Sequence, residues 1–200
     1  MRRTLVLFVR VPVLGRGKRR LAREIGDVLA VRFERQMLAL LLRRLAPNRR
    51  WRLRIAATPD RALRLSARRP PARIERVGQG AGDLGARMSR AIALCPPGPV
   101  VLVGADIPAL RAYHIAAAFA LLGARDLVFG PAEDGGFWLV GARRRQHLRS
   151  LFATVRWSTR FALADVLANL PDHLAVGFVE RLADVDDAEA YRRLAPRRGF

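Results

Sequence analysis

The pattern that most restricts this chain is an alternation of short apolar, β-branched-rich runs with stretches of helical periodicity, laid out along 200 residues. The first run, Thr4 to Val11, ends at Pro12 and opens into a glycine-bearing loop that reaches Lys18. From Leu21 to Leu45 apolar residues recur at helical spacing until Pro47 and Asn48 stop them, which predicts one long helix. The order then repeats. Arg52 to Ala57 predicts a second strand, Asp60 a helix cap and Arg73 to Val77 a third strand. The glycine-rich GQGAGDLG leads into a helix ending near Leu94, and Val100 to Val103 predicts a fourth strand followed by a helix from about Leu110 to Leu122. Asp126 to Phe129 and Phe137 to Val140 flank Pro131, Asp134, Gly135 and Gly136, a turn between neighbouring strands that interrupts the rhythm. The tail predicts a helix near Ser158 to Asn169, a strand near Leu174 to Val179 and a last helix from about Asp187 to Leu194. Such alternation builds a single three-layer α/β/α domain over residues 1–200, with a mostly parallel central sheet whose sites lie at the carboxyl ends of its strands.

A hydrophobic content of 51% is ample for a core of this size. The single cysteine, Cys95, rules out an internal disulfide, and the apolar start Leu5 to Val9 is cut by Arg10 before it could serve as a signal segment. No uncharged apolar run reaches the roughly 18 residues of a membrane helix, so a soluble, cytoplasmic protein is expected. The net charge of +20 raises nucleic acid as a partner. Scattered arginines instead of one basic block make that reading the weaker one without excluding it. Among 37 basic residues only Lys18 is a lysine, which draws attention to a compact ammonium in a glycine loop.

Five segments carry candidate chemistry. In PVLGRGKRRL, Gly15 and Gly17 allow close backbone approach while Lys18 and Arg20 supply charge at a helix start, a combination suited to phosphate; the spacing is not that of a P-loop. Gly80 to Gly85 formally matches G-x-G-x-x-G, but at the third strand, so a dinucleotide site and a plain helix-entry turn carrying Asp83 stand level. Asp106 follows the fourth strand directly, where a carboxylate projects into the crevice and suits a hard ion such as Mg²⁺ or Mn²⁺. Around the acidic turn, Asp134, Gly135, Gly136, Phe137 and Trp138 combine carboxylate, backbone access and aromatic faces, although hairpin chemistry alone could place them. Finally, Asp184 and Asp186 precede Asp187, a candidate helix cap, and would join Asp106 in an ion site if the sheet brings them together. Trp157, Ser158 and Thr159 read as a helix entry, and His114, His147 and His173 are too dispersed for zinc.

Taken in order, PVLGRGKRRLA, QGAGDLGARM, VVLVGADIPAL, DLVFGPAEDGGFWLVG, VRWST and LADVDDAEAY resemble a family of small bacterial proteins with a glycosyltransferase-A-like fold. That family is a former domain of unknown function, often regarded as glycosyltransferases of the arsenosugar-biosynthesis type. More distantly the chain is similar to the guanylyltransferases acting on molybdenum cofactor and on phospholactate. The resemblance implies that Gly15, Lys18 and Arg20 hold the phosphates of a nucleotide or nucleotide sugar, and that Asp106 with Asp186 and Asp184 binds Mg²⁺ or Mn²⁺. It also implies that Gln79, Asp83 and Arg87 serve the donor and that Asp134 and Gly136 face a small-molecule acceptor. The chain departs from the pattern at Leu14, Arg19 and Arg10. The expectation is a metal-dependent transferase with a nucleotide-activated donor, glycosyl transfer placed ahead of nucleotidyl transfer. Lys18, Asp106 and Asp134 are the candidate catalytic residues.

Overall fold

The computed structural model describes residues 2–60, 74–143 and 148–194. Among the described residues seven strands form one sheet: β1 Thr4–Arg10, β2 Arg52–Thr58, β3 Glu75–Gly78, β4 Val100–Gly104, β5 Leu127–Pro131, β6 Phe137–Ala142 and β7 Val176–Phe178. Their order is β3-β2-β1-β4-β6-β5-β7. β6 runs antiparallel to both β4 and β5, and the other pairings are parallel. The described helices are α1 Arg19–Ile25, α2 Asp27–Leu45, α3 Leu84–Ala93, α4 Ala112–Leu121, α5 Leu148–Leu151, α6 Ala162–Ala168 and α7 Ala188–Leu194. A helix capped by Asp60 would fall outside the described residues, as does His147; Asp60 itself accepts a hydrogen bond from Gly80 N at 3.2 Å.

The alternation of side chains along β1 explains the two cores. Leu5, Leu7 and Val9 point to one face, where α1, α2, α4 and α7 pack, while Val6 and Phe8 point to the other, covered by α3, α5 and α6. β1 lies between β2 and β4, and because helices cover both of its faces its residues from Leu5 to Val9 are apolar in an unbroken run. The long helix expected over Leu21 to Leu45 is two helices. Gly26 adopts φ +85°, capping α1 and starting α2, a conformation open to glycine and costly for other residues.

The topology fixes where a ligand can enter. The chain leaves β1 towards β2 and β3, then crosses back to place β4 on the other flank, so the connections after β1 and β4 diverge and leave a crevice at their carboxyl ends. Because β6 is reversed, the turn before it opens at the same edge. The segment after β7 arrives there as well, with Ala132 bridging Leu182 and Val185 N donating to Asp106 O at 3.2 Å.

Candidate functional site

At that edge lies a cleft of about 640 Å³ lined by the loop after β1, the turn after β4, the acidic turn, the Trp157–Thr159 segment and the acids after β7. Lys18 is its electrostatic centre. Its ammonium donates to Asp186 Oδ1 at 2.6 Å and to Asp106 Oδ2 at 3.0 Å, although the two aspartates lie 168 and 88 residues away. The lysine side chain is only 12% exposed. Burial works against its charge, yet Asp106 and then Asp186 outweigh burial and hold its pKa above the usual lysine range.

Asp184 completes the group: Asp106, Asp184 and Asp186 each offer a carboxylate oxygen within 4.8 Å of the others. Three hard oxygen donors this close fit Mg²⁺ or Mn²⁺, and the Asp186 carboxylate stays open to solvent, leaving room for waters and phosphate. Burial first, then Asp186, Asp106 and Asp134, push the Asp184 carboxyl from 3.8 up to about 6. Such a displacement is what burial together with enforced like charges produces.

A fourth acid supports the loop. Glu34 on α2 accepts the Lys18 backbone N–H at 3.2 Å, and burial raises its own carboxyl. A Cβ at Gly17 would stand 2.6 Å from both Glu34 carboxylate oxygens, so a larger residue here would displace the Glu34 carboxylate from the Lys18 backbone. Sequence reasoning missed Glu34. The available signal was an acid next to Phe33 on the buried stripe of α2.

The structure brings Gly17, Lys18, Arg20, Asp106, Asp134, Gly136, Phe137, Trp138, Asp184 and Asp186 to the cleft, along with Ser158 and Trp157. Trp138 is largely internal, however, with its indole N–H donating to Glu180 O at 3.1 Å. Gly15, Gly135, Gln79, Asp83 and Arg87 do not line the cleft. Gly15 has φ +72° and forms the bend of the loop. Gly135 sits behind the wall, where an added Cβ would be 2.1 Å from Arg160 O; Leu163 N donates to its carbonyl, which stitches the acidic turn to α6.

The second motif makes structural contacts. Gln79 is buried and its amide donates to Val9 O at 3.0 Å and Ala56 O at 2.9 Å, while its carbonyl accepts from Arg87. Arg87 also rests over the Phe8 ring, 5.8 Å from its centroid. Asp83 is the N-cap of α3 and accepts from Ala86 N at 2.8 Å. The glycines of G-x-G-x-x-G are likewise accounted for, since Gly80 and Gly82 have φ of +72° and +106° and Gly85 presses on Phe152 and Trp157. These residues shape the cleft from behind.

Residues 41–159 match the bacterial family described as "Uncharacterized protein conserved in bacteria (DUF2064)". The chain belongs to that family. No curated protein sequence matches it. Among solved structures it is similar to a protein from Desulfovibrio desulfuricans provisionally assigned as a nucleotide-diphospho-sugar transferase, at 26% identity and a TM-score of 0.84, over 100% of this chain and 90% of that one. It is also similar in fold to Rv0371c of Mycobacterium tuberculosis, solved as a complex with manganese, at 18% identity and a TM-score of 0.59, over 99% of this chain and 100% of that one. A cytidylyltransferase from Leptospira borgpetersenii shares 14% identity at a TM-score of 0.63, over 97% of this chain and 85% of that one. The fold is that of the nucleotidyl- and glycosyltransferase-like class, a three-layer α/β/α domain with a largely parallel sheet. Among the described residues no helix is long and apolar enough to cross a membrane.

Proposed function

We propose that this family member is a divalent-ion-assisted transferase with a nucleotide-activated donor, working in the cytoplasm on a small acceptor, and that nucleotidyl transfer is its reaction. The observation that carries the reading is the meeting of Lys18 with Asp106, Asp184 and Asp186 at the mouth of one cleft. Mg²⁺ or Mn²⁺ held by the three aspartates would neutralise charge on the donor's phosphate chain. Lys18 and Arg20, at the start of α1, would pair with the phosphates, with Arg10 at the end of β1 adding charge. Asp134, which lines the same cleft close enough to Asp184 to act on its charge, would orient an acceptor or take its proton.

Two features support nucleotidyl over glycosyl transfer, reversing the order expected from sequence. The cationic side of the cleft suits a triphosphate, whose cleavage leaves a pyrophosphate that must be held as charge builds on it. Fold neighbours with a named reaction include the Leptospira cytidylyltransferase. In this reading an acceptor oxygen bonds to the α-phosphorus as the bond from that phosphorus to the bridging oxygen breaks, and pyrophosphate leaves. The glycosyl alternative rests on the provisional assignment of the Desulfovibrio relative, and an arsenosugar-type acceptor belongs with it. Incubation with nucleoside triphosphates or sugar nucleotides, Mn²⁺ and a set of phosphorylated acids and sugars separates the two. Pyrophosphate release supports nucleotidyl transfer, whereas release of a nucleoside diphosphate from a sugar nucleotide alone would replace it with the glycosyl reading.

A further inference from the structure

Lys18 and a divalent ion make the same demand on the same carboxylates. The ammonium already bonds Asp106 at 3.0 Å and Asp186 at 2.6 Å, and these two acids are also members of the three-carboxylate group that offers oxygens within 4.8 Å. An ion drawing on these oxygens would place two positive charges a few ångströms from a third in a partly desolvated cleft, so both cannot sit in the cluster at full strength. The backbone beneath the lysine is held separately, because Glu34 accepts its N–H. The side chain can therefore leave without dismantling the loop.

We infer that Lys18 is the ion's competitor as well as the donor's ligand: the ion enters the aspartate cluster as the ammonium swings out to the phosphate chain, so ion and donor bind as one coupled event. This rests on the proposed donor-binding function of the cleft and adds to it an order of events. Charge favours the exchange. Three carboxylates with one ammonium leave the cluster at −2; replacing the ammonium by a divalent ion brings it to −1 and frees a cation for the incoming phosphates. The exchange also accounts for the residue type. In a chain whose other basic residues are all arginine, this one position is a flexible point charge; a guanidinium would grip the carboxylates in a planar fork and release them less readily.

Because Lys18 is the sole lysine, lysine labelled at ¹³Cε and ¹⁵Nζ gives a single side-chain signal from the whole protein. Titration with Mg²⁺ alone should move that signal from its carboxylate-bound position towards that of a solvated ammonium. Mn²⁺ binding, followed by electron paramagnetic resonance without nucleotide, should be about ten- to a hundredfold tighter in Lys18→Met than in the wild type, as expected for removing a competitor held by charged hydrogen bonds. Arg19→Met removes an equal charge from the exposed rim of the cleft and should change Mn²⁺ affinity by less than about threefold. Lys18→Arg keeps a competitor and should bind no tighter than the wild type. If Lys18→Met gains nothing over Arg19→Met, or the lysine signal ignores Mg²⁺, the exchange is overturned while the ion site stands. If none of the folded proteins binds Mn²⁺, the exchange and the ion site fall together.

Discussion

Replacing Asp184 by asparagine should make the protein more stable and less able to hold a divalent ion. In the fold this carboxyl titrates at about 6 instead of 3.8, since burial and then the charges of Asp186, Asp106 and Asp134 disfavour its ionised form. That displacement corresponds to about 3 kcal/mol of destabilisation once the carboxyl is ionised. Partial solvation and relaxation of the cluster reduce the recoverable part, so a gain of about 1–2 kcal/mol is expected of the neutral amide. Its sign depends on pH. The folded carboxyl keeps a proton that the unfolded chain has already lost, so the penalty is absent below 3.8, grows through the interval and is complete above about 6. Urea unfolding in EDTA near neutral pH should therefore show a higher midpoint for Asp184→Asn with an unchanged slope, and the advantage should vanish near pH 4. Added Mn²⁺ should close or reverse the difference, because ion binding stabilises the wild type most. A variant less stable than the wild type in EDTA at neutral pH would refute the idea that burial and the neighbouring acids strain this carboxylate.

Three further predictions test other parts of the account. Gln79→Ala removes the buried amide that ties Val9 and Ala56 to α3 and takes the acceptor from Arg87, so a loss of about 2–4 kcal/mol is expected by urea unfolding; a loss under about 0.5 kcal/mol would show that the bracket is dispensable. Gly135→Ala sets a Cβ against Arg160 O at a φ of +86°, and should raise amide exchange across the acidic turn and residues 157–163 while leaving β1 to β3 protected; unchanged exchange would show that the stitch yields freely. The Arg156 guanidinium, through its side-chain hydrogen bonds, holds the Asp165 carboxyl at about 2, below the ordinary 3.8, so stability from this pair is present above 3.8 and lost as pH falls towards about 2. Asp165→Asn should flatten that acid limb, and parallel acid unfolding of the two proteins would show that the pair contributes nothing.

The framework of the fold was legible because apolar periodicity reports burial directly. Leu5 to Val9 of β1 form an unbroken apolar run since both faces of the strand are covered, and the acidic turn reads as a hairpin because Asp134 to Gly136 does connect neighbours. Gly26 sits within an otherwise unbroken helical repeat, so its positive φ, and with it the break between α1 and α2, is invisible in the periodicity. The helix expected over Ser158 to Asn169 is shorter, Ala162–Ala168, as Ser158 takes φ +60° and Thr159 spends its hydroxyl on Arg156 O and Phe161 N. Asp106 and Lys18 were legible as a site because each follows a strand end at the same sheet edge. Glu34 was not, since its contact with Lys18 crosses from one helix to the loop before another. Gln79, Asp83 and Arg87 show the converse. Their contacts hold β1, β2 and α3 together, which a local motif does not disclose.

The central claim is that amine and acids converge on one ion-bridged phosphate chain. Calorimetric titration of the wild type and of the Asp106→Asn/Asp186→Asn double variant with nucleoside triphosphates, in Mn²⁺ and in EDTA, tests it most directly. Heat of binding in the wild type that requires Mn²⁺ and disappears in the folded double variant is the predicted result. Equal binding by both proteins, or binding indifferent to Mn²⁺, would contradict it.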